Sequence, residues 1–299
     1  MQAEIKAAKS RRSIEQIIAP PPWHWVGDGF RVHGFFPNQF LGGKRMSPFY
    51  LLDYNSKYDF PPSTNLLGVG PHPHRGFETV TIAYKGKVQH HDSHGGGGVI
   101  GEGDVQWMTA GSGILHKEYH EEEFNRTGGT FQMVQLWVNL PAKDKMTAPQ
   151  YQAITNAEMG RYKLPEGGGF VEVIAGEFKG TKGAATTFTP VHLFNLKLKK
   201  GGSVKLDFPE SYTTALLMIE GDARINETET APQDNFVLFK HDGEEVLVEA
   251  ETDSVILVLS GEPIDEPVSA YGPFVMNTQE EIYQAFEDFQ AGKFGYLAD

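Results

Sequence analysis

Cysteine is absent from the sequence of 299 residues. Its absence excludes disulfides, iron–sulfur clusters and thiolate catalysis, so any bound metal must be held by nitrogen and oxygen ligands. The sequence also lacks a run of about 20 apolar residues, the length that spans a bilayer as a helix. Residues 1–12 are polar and basic, without the apolar stretch of a secretory signal. We therefore expect a cytoplasmic protein that makes no membrane contact.

Positive charge is in the minority. The chain has 26 lysines and arginines against 39 aspartates and glutamates, which gives a formal net charge of -13. Such a chain is repelled by phosphate backbones unless its basic residues cluster. The basic groups at 6–12 and 197–200 are short and lack interleaved aromatic residues. The sequence therefore predicts no direct nucleic-acid binding.

Long helical periodicity is missing until the C-terminus. The 34 glycines and 18 prolines are scattered, and short alternating apolar stretches such as 79–84 and 191–198 lie between them. This pattern is typical of an all-β protein. Near the end, Thr278 and Glu281 form a capping box ahead of an apolar stripe, which predicts a helix over 278–290.

The chain divides into two β-rich halves at the polar, loop-rich stretch 147–169. We predict one domain over 1–150 and a second over 151–299. A pattern of strand, glycine turn and strand around Gly86 recurs around Gly221, which suggests a duplicated barrel.

Two doublets of ligand-type residues are the most informative feature of the sequence. His72 and His74 are two positions apart, as are His116 and Glu118. Alternate residues of a strand point to the same face, so two neighbouring strands could aim three imidazoles and one carboxylate at one point. Such a set suits a first-row metal such as Fe, Mn, Ni, Cu or Zn better than Ca or Mg. Surface histidines on hairpins are the alternative.

The second half lacks this ligand set. Superposing the two glycine turns places Asp207 and Pro209 where His72 and His74 lie in the first half. We therefore expect one metal site, in the first barrel.

Other histidines are assigned to the surface. His90, His91 and His94 precede the glycine run 95–98, which predicts a solvated hairpin tip. His120 follows Glu118 by two positions on the same strand pattern and could reach the rim of the cavity, but we predict that it lies at the surface too.

The segment PHPHRGFETVT (71–81) resembles the first motif of the cupin superfamily, and GDVQWMTAGSGILH (103–116) resembles the second. The residues of both motifs resemble one family of this superfamily, the pirins, more closely. Supporting strings lie outside the site: WVGDGF (25–30), SPF (47–49), QLWVNLP (135–141) and GPFVMNT (272–278).

The resemblance implies two tandem antiparallel cupin (jelly-roll) barrels, of which only the N-terminal one binds a metal, usually Fe(II). The pirin ligands fall on His72, His74, His116 and Glu118. Cupins in general use the glutamate after the first doublet, here Glu78, to which we assign a supporting role. The metal could also be Mn, Ni, Cu or Zn.

Pirin resemblance further implies a quercetin 2,3-dioxygenase-type activity, which cleaves a flavonol with O₂ and releases CO. Glu118 would be both a ligand and the base, and the partners would be a small aromatic substrate and O₂. The alternative is an iron-dependent regulatory protein that binds a protein partner. The acidic surface of the chain would suit a basic partner protein. A hydrolytic or isomerase cupin is a third option. A pocket deep enough for a flavonoid beside the metal would favour the dioxygenase, and a shallow site under a charged face would favour the regulatory protein. Two joined barrels can satisfy each other's pairing, so we expect a monomer.

Overall fold

The computed structural model describes residues 10–38 and 41–298, which form an all-β structure with two short α-helices. The strands are β1 (Ile14–Ile18), β2 (His24–Val26), β3 (Phe30–Phe36), β4 (Phe49–Phe60), β5 (Gly68–His74), β6 (Phe77–Lys85), β7 (Val88–Asp92), β8 (Gly97–Ile100), β9 (Val105–Thr109), β10 (Ile114–His120), β11 (Gly129–Asn139), β12 (Gln150–Ile154), β13 (Gly160–Lys163), β14 (Gly169–Ala175), β15 (Glu177–Phe178), β16 (Thr181–Lys182), β17 (Val191–Leu198), β18 (Ser203–Asp207), β19 (Thr213–Glu220), β20 (Ala223–Ile225), β21 (Glu229–Ala231), β22 (Phe236–Phe239), β23 (Glu245–Ala250), β24 (Ser254–Gly261), β25 (Ser269–Tyr271) and β26 (Phe274–Met276). The helices are α1 (Glu122–Thr127) and α2 (Gln279–Gln290).

The chain forms two compact units, each assembled from separate segments. Among the described residues, unit N comprises 20–38, 41–159, 184–190 and 263–298. Unit C comprises 10–19, 160–183 and 191–262. The domain limits expected from the sequence, 1–150 and 151–299, stay a prediction.

Each unit contains one sheet of seven strands and one of four. In unit N the strand orders are β12-β9-β6-β11-β4-β3-β2 and β5-β10-β7-β8. In unit C they are β1-β22-β19-β24-β17-β14-β13 and β18-β23-β20-β21. The four-stranded sheets follow the same order along the chain, and Gly86 and Gly221 both adopt a positive φ in the turn after the corresponding strands β6 and β19. This correspondence supports the inferred duplication.

The interior of unit C is apolar. Its core includes valine, leucine and phenylalanine side chains that are fully or almost fully buried, among them Val204, Leu206, Val246 and Val248. These four residues come from β18 and β23, the counterparts of β5 and β10. Asp207, at the end of β18, is exposed. Aliphatic side chains therefore fill the part of unit C that corresponds to the histidine-bearing part of unit N.

Helix α2 begins as the sequence predicts. The Thr278 side chain accepts a hydrogen bond from the Glu281 amide, and the Glu281 carboxylate accepts one from the Thr278 amide. The helix buries Ile282 and Ala285 against Phe274, so its apolar face packs on the β26 strand. The prediction of an all-β protein with a C-terminal helix is confirmed. Neither helix within 10–38 and 41–298 is long and apolar enough to cross a membrane.

A buried lysine fixes the end of unit N. The Lys145 ammonium donates hydrogen bonds of 2.7 to 2.8 Å to the carbonyl oxygens of Gly76 and Val275 and to Oδ1 of Asn139. Burial lowers its pKa to about 7. Lys145 thereby ties the strand that follows His74 to the C-terminal segment.

Candidate metal centre

Three histidine rings meet on neighbouring strands of unit N. His72 and His74 are on β5, and His116 lies directly opposite His72 on β10. Their ring centres are 4.2 to 4.9 Å apart, and one nitrogen from each ring lies within 4.8 Å of the others. The predicted convergence of the imidazoles is thus present. Since β5 is an edge strand of its sheet, Pro73 between the two histidines costs no needed ladder bond.

An irregularity in the pairing of β5 helps to orient the first ring. Between His116 and Glu118 the register shifts, so that three steps on β5 face two on β10. The carbonyl of Gly70, within this bulge, accepts a hydrogen bond of 2.8 Å from Nδ1 of His72. This bond leaves the lone pair on Nε2, the arrangement in which a histidine ligates a metal.

The other two rings are buried and electrically neutral. Burial lowers the pKa of His74 and of His116 well below its usual value, and His72 adds to the effect. His74 Nδ1 donates to the Pro273 carbonyl at 3.4 Å, while His74 Nε2 and both His116 nitrogens meet no hydrogen-bond partner among residues 10–38 and 41–298. Buried polar atoms normally have partners. Unpaired nitrogens of neutral imidazoles that face one point therefore fit a metal ion.

Glu118 is placed on the same inward face of β10 as His116. The side chains of β10 alternate between buried and half-buried, with His116 and Glu118 both buried. The Glu118 carboxylate accepts hydrogen bonds from Gln135 Nε2 at 2.9 Å and from Thr81 Oγ1 at 3.3 Å. Among the described residues, the cluster of ligand atoms within 4.8 Å comprises the three histidines without this carboxylate. Burial raises the pKa of Glu118.

A cavity of about 280 Å³ opens beside these residues. His72, His74 and Glu118 line it on one side. Its remaining wall is mostly apolar, and Asp53 and Gln135 are the polar residues in it. The apolar residues are Val26, Phe30, Val32, Val69, Met133 and Trp137. The volume is close to the lower end of the range for small-molecule pockets. An apolar cavity with a few polar groups at one end can hold a small aromatic molecule.

Glu78 lies away from this cavity, as the pirin pattern implies. It pairs with Thr109 of β9 and accepts a hydrogen bond of 2.7 Å from the Thr109 hydroxyl. Burial raises its pKa to about 7. Thr81 points into the site, and strand alternation therefore turns Glu78, three positions earlier, to the opposite face. Glu78 has a packing and hydrogen-bonding role.

Two histidines assigned to the surface are buried, and those assignments are wrong. His90 contacts Gln106 through Nδ1 at 3.0 Å and the Tyr151 hydroxyl through Nε2 at 2.6 Å. His120 contacts the Gly29 carbonyl at 2.8 Å. It packs among phenylalanine rings: Phe30, Phe60, Phe124 and Phe131. His90 lies within strand β7 and faces inward, whereas the glycine run starts after this strand has ended. His91 and His94 are exposed, as predicted. For His120, the alternation that joins His116 to Glu118 continues by one more step.

The C-terminal segment contacts Arg75, the residue that follows strand β5 and its two histidines. Arg75 forms an ion pair of 2.9 Å with Asp288 of α2, and its guanidinium lies 4.7 Å from the ring centre of Phe294. Arg75 also donates to the Ser112 carbonyl at 2.8 Å. Arg75 therefore has a structural role next to His74.

Two family models match the chain. Residues 29–138 match the model described as Pirin, and residues 193–295 match the model described as Pirin C-terminal cupin domain.

Individual relatives are similar over almost the whole chain. A Pseudomonas aeruginosa protein with the provisional name quercetin 2,3-dioxygenase is 51% identical over 271 residues, which are 91% of this chain and 94% of that protein. Pirin-1 of Arabidopsis thaliana is 40% identical over 258 residues, 85% of each chain. The crystal structure of a quercetin 2,3-dioxygenase from Acinetobacter baumannii has a TM-score of 0.91 and 48% identity, and covers 97% of this chain and 100% of that one. These matches confirm the predicted fold of two cupin barrels.

Proposed function

The chain belongs to the pirin family, and from that premise we propose that it is a metal-dependent dioxygenase that opens the ring of a flavonol such as quercetin with O₂. The proposed metal is Fe(II), with Mn, Ni, Cu or Zn as substitutes. Its proposed ligands are His72, His74, His116 and Glu118.

The observation that carries this proposal is the position of the cavity. His72, His74 and Glu118 lie on the wall of a largely apolar space of about 280 Å³, and not beneath a shallow charged surface. A small aromatic molecule can therefore reach the histidines. A protein partner would instead need an extended surface around the site. The cavity thus favours an enzyme over a regulatory binder. The names of two relatives support the same substrate class.

The three histidines and Glu118 would hold the ion, and a redox-active metal there would supply the electron transfer that reaction with O₂ needs. The residues of the chain have separate tasks. The apolar wall excludes water and positions the aromatic rings. Glu118 accepts the proton of an acidic hydroxyl of the substrate, because burial raises its pKa and makes the carboxylate a stronger base. The Gln135 amide and the Thr81 hydroxyl hold this carboxylate in place.

Oxygen uptake with quercetin tests the proposal. We would compare iron-loaded wild type with His116→Ala and with His94→Ala, in which an exposed histidine is replaced as a control. Uptake by wild type and His94→Ala, with loss of both bound iron and uptake in His116→Ala, is the expected result. No uptake by fully iron-loaded wild type would refute the dioxygenase and favour the regulatory alternative.

A further inference from the structure

One carboxylate in the cavity has no hydrogen-bond donor among the described residues. Asp53 is on β4, directly opposite Gln135 of β11, and its side chain lines the cavity with the histidines. Within the described part of the chain no hydrogen-bond donor reaches this carboxylate, and its resolved electrostatic neighbour is His24. Glu118, the other carboxylate in the cavity, is already bound by two donors. Asp53 is therefore the acceptor that remains available to a ligand.

The residue that faces Asp53 across the sheet has no side chain. Gly34 of β3 pairs with Asp53 across the sheet. A Cβ atom at Gly34 would lie 3.3 Å from Oδ1 of Asp53 and 3.4 Å from Cε1 of His24. Any larger residue at this position would cover the carboxylate.

A second unpaired polar group lies on the same wall. The indole nitrogen of Trp137 is buried and meets no acceptor in the part of the chain that the structure describes. Trp137 is two positions after Gln135 on β11, so it shares the inward face with the partner of Asp53. A buried donor that lacks a partner, such as the Trp137 indole, is rare in folded proteins. An unpaired acceptor and an unpaired donor on one cavity wall point to a ligand that offers polar groups to both.

We propose that Asp53 is a substrate-recognition residue, which accepts a hydrogen bond from a hydroxyl group of the aromatic substrate. The cavity then selects hydroxylated aromatic compounds over apolar ones of equal size. This inference rests on the proposed function for the identity of the substrate. A hydrogen bond to a charged acceptor corresponds to about 10- to 100-fold in affinity.

Equilibrium binding without oxygen separates recognition from turnover. Metal-loaded protein would be titrated with quercetin and with two flavonols that lack the hydroxyls of its pendant ring or of its fused ring. The variants are Asp53→Asn, which keeps the shape of the side chain, and Gly34→Ala, which keeps the charge but covers it. Asp59→Asn is the control, because Asp59 is an exposed residue of the same strand that binds Thr130.

We expect wild type and Asp59→Asn to prefer quercetin by about 10- to 100-fold over at least one analogue. Asp53→Asn and Gly34→Ala should reduce this preference to roughly threefold or less, and in oxygen uptake the KM for quercetin should rise more than kcat falls. An unchanged preference in Asp53→Asn would overturn the inference, while the proposed function would stand if uptake persists. A preference that depends on Asp53 without any uptake would sustain the inference and refute the dioxygenase. Failure of wild type to bind any of the three compounds would overturn both.

Discussion

Replacing Asp53 by asparagine should stabilise the folded protein at neutral pH. Burial raises the pKa of Asp53 from 3.8 to about 6, so the folded state opposes ionisation of this carboxyl. The penalty is absent below about pH 4, where the group is protonated in both states. It grows as pH rises from about 4 to 6 and is complete above pH 6. The difference in pKa corresponds to roughly 3 kcal/mol. Residual solvent contact of the half-buried side chain reduces this, and we expect a gain of about 1 to 2 kcal/mol.

Calorimetric unfolding of metal-free protein at pH 7 and at pH 4 measures this effect. A gain of this size raises the Tm by roughly 2 to 8 °C for a chain of this length. The gain should be present at pH 7 and absent at pH 4, where asparagine and protonated aspartate are equivalent. Asp59→Asn, which removes an exposed carboxylate that accepts a bond from Thr130, should give no gain at either pH. A Tm of Asp53→Asn at or below that of wild type at pH 7, or a gain that persists at pH 4, would refute the reasoning. The result does not depend on which substrate the protein uses.

Two further changes probe the structure around the site. Lys145→Met should destabilise the protein by about 3 to 5 kcal/mol, because it removes a buried ammonium and leaves three oxygens without their donor; a loss below 1 kcal/mol in urea unfolding would contradict this. Glu118→Gln should leave the Tm within a few degrees of wild type but lower flavonol-dependent oxygen uptake at least 100-fold. Full activity in that variant would remove Glu118 from the role of base.

The histidine cluster could be predicted from the sequence because side-chain alternation is a local property of a strand. His72, His74 and His116 needed only their spacing and the pairing of two strands. The same rule, carried one step past Glu118, allows His120 an inward position, and the prediction of a surface position was the error. For Asp53 no such signal exists, since its environment depends on strands that are distant in sequence. Its lack of partners becomes visible only when the cavity is built.

The composition of the two units was likewise beyond local patterns. Strand β1 pairs with β22, more than 200 residues later, and 263–298 belongs to unit N. Neither connection leaves a periodicity or a motif in the sequence, because both are set by long-range pairing.

The N-terminal strand β1 belongs to unit C and the C-terminal segment 263–298 belongs to unit N. This arrangement affects the order in which the units are completed on the ribosome. Residues 20–159 emerge early, but unit N also requires 263–298, including Pro273, which binds His74, and Asp288, which binds Arg75. At the usual 5 to 20 residues per second, roughly 5 to 20 s separate the two segments. Unit N stays incomplete during that interval, because the segment that contacts His74 and Arg75 has not yet been translated. The histidine cluster therefore reaches its final surroundings only after 263–298 has been made.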